Sequence, residues 1–231
     1  EAKYKTSEIS GLKRLYYDRN APYEKYVPYF KTFKTTLSVQ KPIAYVIPQA
    51  YDEVVKRLKW NGVKVSRLSK DVQLDVEMYR ITDYKTSKKA YEGHYNHSKV
   101  KVKSETKKWN YYKGDYVVFT HQKTNRYLIE TLEPQAPDSF FNWNFFDGIL
   151  AQKEYFSSYI FEDTALELLK AAPKLKAALE AKKKEDEEFA QSARMQLDFI
   201  YRNSVYYEPT HNLYPVGRLL EAVDLPLEQL D

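Results

Sequence analysis

Cysteine is absent from the 231 residues. That single absence excludes a disulfide framework, thiolate metal sites and thiol catalysis together, while leaving the redox compartment open. Glycine is scarce, with 6 residues, which leaves little material for phosphate-cradling loops; neither a Gly-x-Gly-x-x-Gly nor a Walker pattern occurs. Gly-x-Ser-x-Gly, the commonest serine-nucleophile signature, is missing as well. No apolar run approaches the ~18 residues of a membrane span, and the short apolar stretches near the start are too broken by charge for a secretory leader. A dominant charge is also lacking: 37 Lys+Arg stand against 32 Asp+Glu, a formal net charge of +5. Nucleic acid is not an expected partner, because its electrostatic footprint needs basic residues gathered on one face.

Histidine is rare too, at His94, His97, His121 and His211. None begins a His-x-x-Glu or His-Glu-x-x-His pattern, so the common hydrolytic zinc sites are not written in this chain. His94 and His97 are three apart, but Gly93-His94-Tyr95-Asn96-His97-Ser98 reads as strand or turn, where i and i+3 face opposite ways. Glu208 and His211 share that spacing with Pro209 between them. Ordinary polar roles are expected for all four. Carboxylates are numerous, so an independent hydrolase using a carboxylate pair stays open, with no motif in its favour.

Tyrosine, by contrast, is abundant: 22 residues beside 11 Phe and 3 Trp. Residues 1–42 hold many of these rings among Pro22, Pro28 and Pro42, and read as an extended aromatic-rich segment packing on a body formed later in the chain. From Ile43 the signals sharpen. Ile43-Ala44-Tyr45-Val46-Ile47 is a short apolar run closed by Pro48, Val54, Val55 and Leu58 recur at helical spacing up to the stop at Asn61-Gly62, and Val63 to Leu68 alternates. Strand, helix, strand at this spacing predicts a βαβ unit with parallel pairing.

Leu74–Ile81 and Val100–Lys103 alternate as half-buried antiparallel strands. Lys113-Gly114-Asp115 predicts a turn into a buried strand, Tyr116–Phe119, and Asn125–Leu132 a short helix; these two return to the first sheet, so the antiparallel stretch is an insertion. Helices are expected over 162–169, 175–189 and 193–201, followed by irregular chain beyond Tyr206. The Lys182–Glu188 charge run reads as a solvated helix face. The expected fold is thus mixed α/β: a small sheet with a βαβ unit, inserted antiparallel strands and C-terminal helices. It divides into segments 1–42, an α/β body over 43–160 and a helical region over 161–231. A doubly wound sheet would admit a class I amidotransferase, but that chemistry needs the absent cysteine.

The densest aromatic stretch is Glu133-Pro134-Gln135-Ala136-Pro137-Asp138-Ser139-Phe140-Phe141-Asn142-Trp143-Asn144-Phe145-Phe146-Asp147. A loop that folds over the body and buries its rings is the favoured reading, each large apolar side chain contributing roughly 1.5–3 kcal/mol. The sharper one is an aromatic surface for peptide or glycan carried by Phe140, Phe141, Trp143 and Phe145.

Several blocks, in order, resemble one family. Glu8 through Arg19, Ala44 through Gln49, Glu92-Gly93-His94-Tyr95, Lys113 through Ser139 on to Trp143–Asp147, and Tyr201 through Glu208 are similar to the region that follows the peptidase domain in bacterial zinc carboxypeptidase-like proteins of the M14, carboxypeptidase A-type, family. The likeness spans nearly the whole chain. It implies a non-catalytic C-terminal accessory region whose partner is the peptidase domain of the same parent protein. Zinc is then expected only in a catalytic domain outside this chain, and no cofactor, catalytic residue or metal ligand is carried over, since the His-x-x-Glu anchor is absent. The family further implies a periplasmic or secreted location, and a chain beginning at Glu1 reads as a piece of something longer.

Overall fold

The computed structural model describes residues 3–228. By contacts the chain divides into two units, Glu1–Val39 and Gln40–Asp231. In the first, β1 (Lys3–Thr6) and β2 (Lys13–Tyr16) form an antiparallel hairpin with Lys3 opposite Tyr16. Gly11, at φ +70°, and the Ser7 hydroxyl, which accepts from the Ile9 and Ser10 amides, shape its turn.

The second unit is built on a six-stranded sheet. In chain order it contains β3 (Ala44–Ile47), helix α1 (Asp52–Trp60), β4 (Ser66–Arg67), β5 (Val72–Thr86), β6 (His97–Tyr111), β7 (Tyr116–Phe119) and helix α2 (Asn125–Leu132). Helices α3 (Ser158–Ala171), α4 (Pro173–Glu185), α5 (Glu187–Gln191) and α6 (Ala193–Arg202) follow, and β8 (Gly217–Leu219) returns to the sheet. The strand order is β4-β7-β3-β8-β5-β6.

The mixed α/β class and the return of β7 beside β3 agree with the sequence. The expected parallel pairing does not occur: β3 and β4 point the same way, but β7 lies between them and is antiparallel to both. The βαβ unit is therefore split. The apolar run of β3 arose from burial of both its faces, all four residues being enclosed, and double burial is the property that parallel and central antiparallel strands share. The expected helix over 175–189 is also two helices. Asp186 breaks it by leaving helical geometry and capping α5, its carboxylate accepting from the Phe189 amide. Gly217–Leu219 lies in the stretch expected to be irregular and is a strand buried at every position.

Alternation sorts the apolar residues onto the two faces of the sheet. Tyr45, Ile47, Tyr79, Ile81 and Val118 face one layer, closed by Val54, Val55 and Leu58 of α1 and Leu128 and Leu132 of α2. Ala44, Val46, Leu74, Val76, Met78 and Val117 face the other, covered in part by Leu225 and Leu227. The four C-terminal helices enclose a third cluster around Phe161, Leu179, Phe189 and Tyr201. At the sheet's outer edge β6 carries Lys99, Lys101, Lys103, Lys107 and Lys108, charges that discourage edge-to-edge pairing.

Two contacts fix the hairpin β5–β6 and β8. Arg80 donates to Glu105 across the hairpin, at 2.5 Å from Nε, and to the carbonyls of His211 and Pro209 in the segment before β8. This pairing, with Lys107 assisting, holds the Glu105 carboxyl down at about 2, well below its ordinary 4.5. A carboxyl lowered on folding stabilises in full above its unfolded pKa, and that stabilisation is lost as pH falls through the folded value. Glu105→Gln is therefore expected to cost roughly 1 kcal/mol at neutral pH, and the gap to wild type should close between pH 4.5 and about 2, followed by urea unfolding across that window. Gly217 is the second point: a Cβ there would overlap the hydroxyl of buried Tyr111. Gly217→Ala should lower stability by ~1–3 kcal/mol through overpacking, read as a reduced denaturation midpoint at unchanged slope.

Candidate functional site

Helix α2 ends at Leu132, and the next side chain, Glu133, turns inward beneath the sheet, where it is 2% exposed. Its Oε1 accepts from the Tyr45 hydroxyl at 2.7 Å and from Arg218 Nε at 3.0 Å. Arg218, on β8, also reaches Glu77 of β5 and the Gln40 carbonyl, and its guanidinium lies over the Tyr79 ring at 4.8 Å. Beside it the Tyr214 hydroxyl donates to the Leu132 carbonyl at 2.8 Å. Residues far apart in the chain thus converge on one buried charge pair.

The electrostatics pull in two directions. Burial pushes the Glu133 carboxyl up, to about 7, while the hydroxyls of Tyr45 and Tyr79 draw it back down. Its Oε2 is enclosed and accepts no hydrogen bond among the described residues, which is why desolvation weighs so heavily. Burial lowers Arg218 and raises Tyr45 and Tyr214. Chemically the cluster is a polar clamp whose glutamate is enclosed: Glu133 is buried in the core, while Glu77 and Arg218 border a cavity of about 480 Å³ that Glu133 does not line.

The aromatic stretch begins one residue later. From Pro134 to Phe146 the backbone runs through successive turns held by internal bonds: Phe140 N to Thr131 O at 2.8 Å, Phe145 N to Phe140 O at 3.0 Å, and Asn142 Nδ2 to the carbonyls of Ala136 and Pro137. Phe140, Phe141 and Phe146 are buried in the core layer shared with α1 and α2. Phe141 meets Tyr84, His97 and Tyr214 edge-on or tilted, and Phe146 meets Tyr51 and Tyr214. Trp143 and Phe145 remain half-buried. Trp143 donates Nε1–H to Asp138 at 2.6 Å and lies against His94 and Tyr91, while Phe145 lies against His94 with Arg57 over its ring at 4.5 Å.

His94 and His97 part company, His94 in the turn that bridges to Tyr91 and His97 as the first residue of β6. His94 joins the surface rings; His97 is buried, with Nδ1 3.0 Å from Thr86 Oγ1 and Nε2 3.0 Å from Asp147 Oδ1. It ties the turn end of the hairpin to the end of the aromatic loop. Glu208 clamps a turn, accepting from the Lys153 amide at 2.8 Å and from Thr210 Oγ1 at 3.1 Å, while His211 contacts the Tyr207 hydroxyl and the Leu150 carbonyl. Among the described residues no group of three His, Asp or Glu side chains is placed to hold a metal, and no helix is long and apolar enough to cross a membrane.

Sequence reasoning singled out the aromatic loop and missed the clamp beneath it. Tyr45, Glu77, Glu133, Tyr214 and Arg218 share no spacing or motif; the only hint was a charged Glu directly after the buried end of an amphipathic helix. Arg218→Met should be severe, costing ~3–5 kcal/mol, because it removes the one cation that both Glu77 and Glu133 share. Glu133→Gln should cost less, since an amide needs no counter-charge. Chemical denaturation of both variants at pH 7 gives the ranking, and the reverse order would show that the pair is not the clamp.

Nearly half of the chain is similar to fungal carboxypeptidases. It is 33% identical over 107 residues to Carboxypeptidase 2 of Trichophyton tonsurans, covering 46% of this chain and 20% of that protein. Carboxypeptidase 2 of Trichophyton equinum matches to the same extent, and that of Trichophyton rubrum is 34% identical over 104 residues, 45% of this chain and 19% of that protein. The match spans about a fifth of the length of these curated relatives. The relatives are fungal, whereas the sequence blocks resembled bacterial proteins. No family model matches the chain, and no solved structure matches it. The likeness is thus to part of proteins named Carboxypeptidase 2, over less than half of this chain.

Proposed function

We propose that this chain is the non-catalytic accessory region of a zinc carboxypeptidase-like protein, lying C-terminal to a peptidase domain outside the chain and packing against it or gating its cleft. The observation that carries this reading is the similarity to proteins named Carboxypeptidase 2 over a small fraction of their length. The lack of any His-x-x-Glu pair in the sequence supports it, as does the enclosure of Glu133 in the core. Zinc would belong to the peptidase domain, and the parent protein would work in the periplasm or outside the cell.

A second reading assigns peptide or glycan binding to the aromatic loop. The surface grouping of Trp143 and Phe145 with His94, Tyr91 and Arg57 favours it, since Trp, Tyr and Arg supply flat contact area with polar tips. Phe140 and Phe141 would then support that surface from below.

The isolated chain should release no C-terminal residues from peptides; chelator-sensitive release by a preparation free of other proteases would overturn the accessory reading. Added in trans to the parent's peptidase domain, it should form a complex that raises the domain's melting temperature or changes its KM. Trp143 fluorescence tests the second reading: a saturable shift with glycan or peptide is expected there, and loss of that shift in Phe145→Ala should follow.

A further inference from the structure

Strand β8 meets β5 in a single pair, Glu77 opposite Arg218. Nearby, the Tyr214 amide donates to the Tyr79 carbonyl at 2.7 Å and the Ile81 amide donates to Asn212 O at 2.8 Å. The odd-numbered residues of β5 therefore turn their main-chain groups toward β8 and away from β6. Pairing of β5 with β6 is unbroken from Val72 to Ile81, so the alternation carries on and aims the N–H and C=O of Gln73 and Asp75 the same way. Were β8 to continue in register, Leu220 would stand opposite Asp75 and Ala222 opposite Gln73. Instead it ends at Leu219, and the chain departs toward Leu225 and Leu227, which lie against the other face of the sheet. Among the described residues no main-chain bond joins Gln73 or Asp75 to the departing segment.

A cavity of about 480 Å³ fills the divergence, bounded by β5 from Gln73 to Glu77, by Thr106, and by the chain from Arg218 to Val223. It presents a short array of main-chain donors and acceptors at strand spacing, which is what an added β-strand requires. Its charge is lopsided. Asp75, Glu77 and Glu221 line it against one cation, Arg218, already engaged by Glu77 and Glu133; Asp75 has only an exposed partner, Lys108, at 2.9 Å. The outer edge of the same hairpin is guarded by lysines, while Val72 to Glu77 carries no Pro, Lys or bulge. An edge without such guards is competent to pair.

We propose that this gap is a binding site for an extended basic peptide segment, which pairs with the main chain of Gln73 and Asp75 and sets its cationic side chains among the carboxylates of Asp75, Glu77 and Glu221. The proposal is independent of the accessory-region reading and of the aromatic loop. Acidic strands are rejected at the gap by charge, and basic ones are rejected at the lysine edge of β6.

The test is titration of the 231-residue chain with a blocked Lys-Val-Lys-Val-Lys peptide and its Glu-for-Lys counterpart, with amide hydrogen exchange read residue by residue. The basic peptide should bind and slow exchange at Gln73 and Asp75, and the acidic one should not. Gln73→Pro removes an N–H that faces the gap and leaves the β6 ladder intact; it should weaken binding about tenfold or more. Glu221→Gln keeps the backbone unchanged and should weaken it several-fold at low salt, an effect that fades as salt rises. Equal binding of the acidic peptide, protection along β6 instead of at Gln73 and Asp75, undiminished affinity in both variants, or no binding up to about 1 mM would each overturn the proposal.

Discussion

The ion pair between Glu133 and Arg218, closed by the Tyr45 hydroxyl, is the contact on which the rest of the second unit depends. Its members come from the centre of the sheet, from the last strand to join it, and from the first residue after α2. A buried charge pair is costly to leave half-made, so these elements must arrive together. Where Glu133 is held, the aromatic loop that follows it starts from a fixed point. Where Arg218 is held, a three-residue strand paired with β3 along its whole length lies between β3 and β5.

The aromatic loop is then largely a consequence. Its buried rings complete the layer that α1 and α2 begin, and its end is tied through Asp147 to His97 at the turn end of the hairpin. Rings at the sequence's most conspicuous stretch are thereby divided, Phe140, Phe141 and Phe146 serving the core and Trp143 and Phe145 remaining near the surface. The same docking of β8 creates the split in the sheet. Arg218 holds β8 against β5 at one pair, and the tail beyond Leu219 leaves to cover the opposite face. A clamp on one side of Arg218 and an open strand edge on the other are two results of one placement.

Much of the fold was legible. Tyr116–Phe119 and Asn125–Leu132 begin and end where the sequence places them, because the Lys113-Gly114-Asp115 turn and Pro134 punctuate them strongly; Gly114 adopts φ +94° there. Hairpin strands showed through alternation, though their full 15-residue lengths did not, since lysines on both sides of the outer strand blur the pattern. Pairing direction was misread because a continuous apolar run reports burial of both faces and says nothing about the neighbour's orientation. The site was legible only in part: a cluster of rings announces itself, whereas Glu133 and Arg218 are single charged residues 85 positions apart.

By itself the sequence determined that thiol chemistry is closed to this chain, through absent cysteine, and where its local elements form, through periodicity and turn residues. These are properties of composition and of neighbours a few residues apart. Tertiary structure alone decided that β7 would separate β3 from β4, that Gly217–Leu219 would be a strand, and that a lone glutamate and a lone arginine would meet in the core. Such outcomes depend on which distant groups share a low-dielectric space, where a charge must find its partner or the fold does not close.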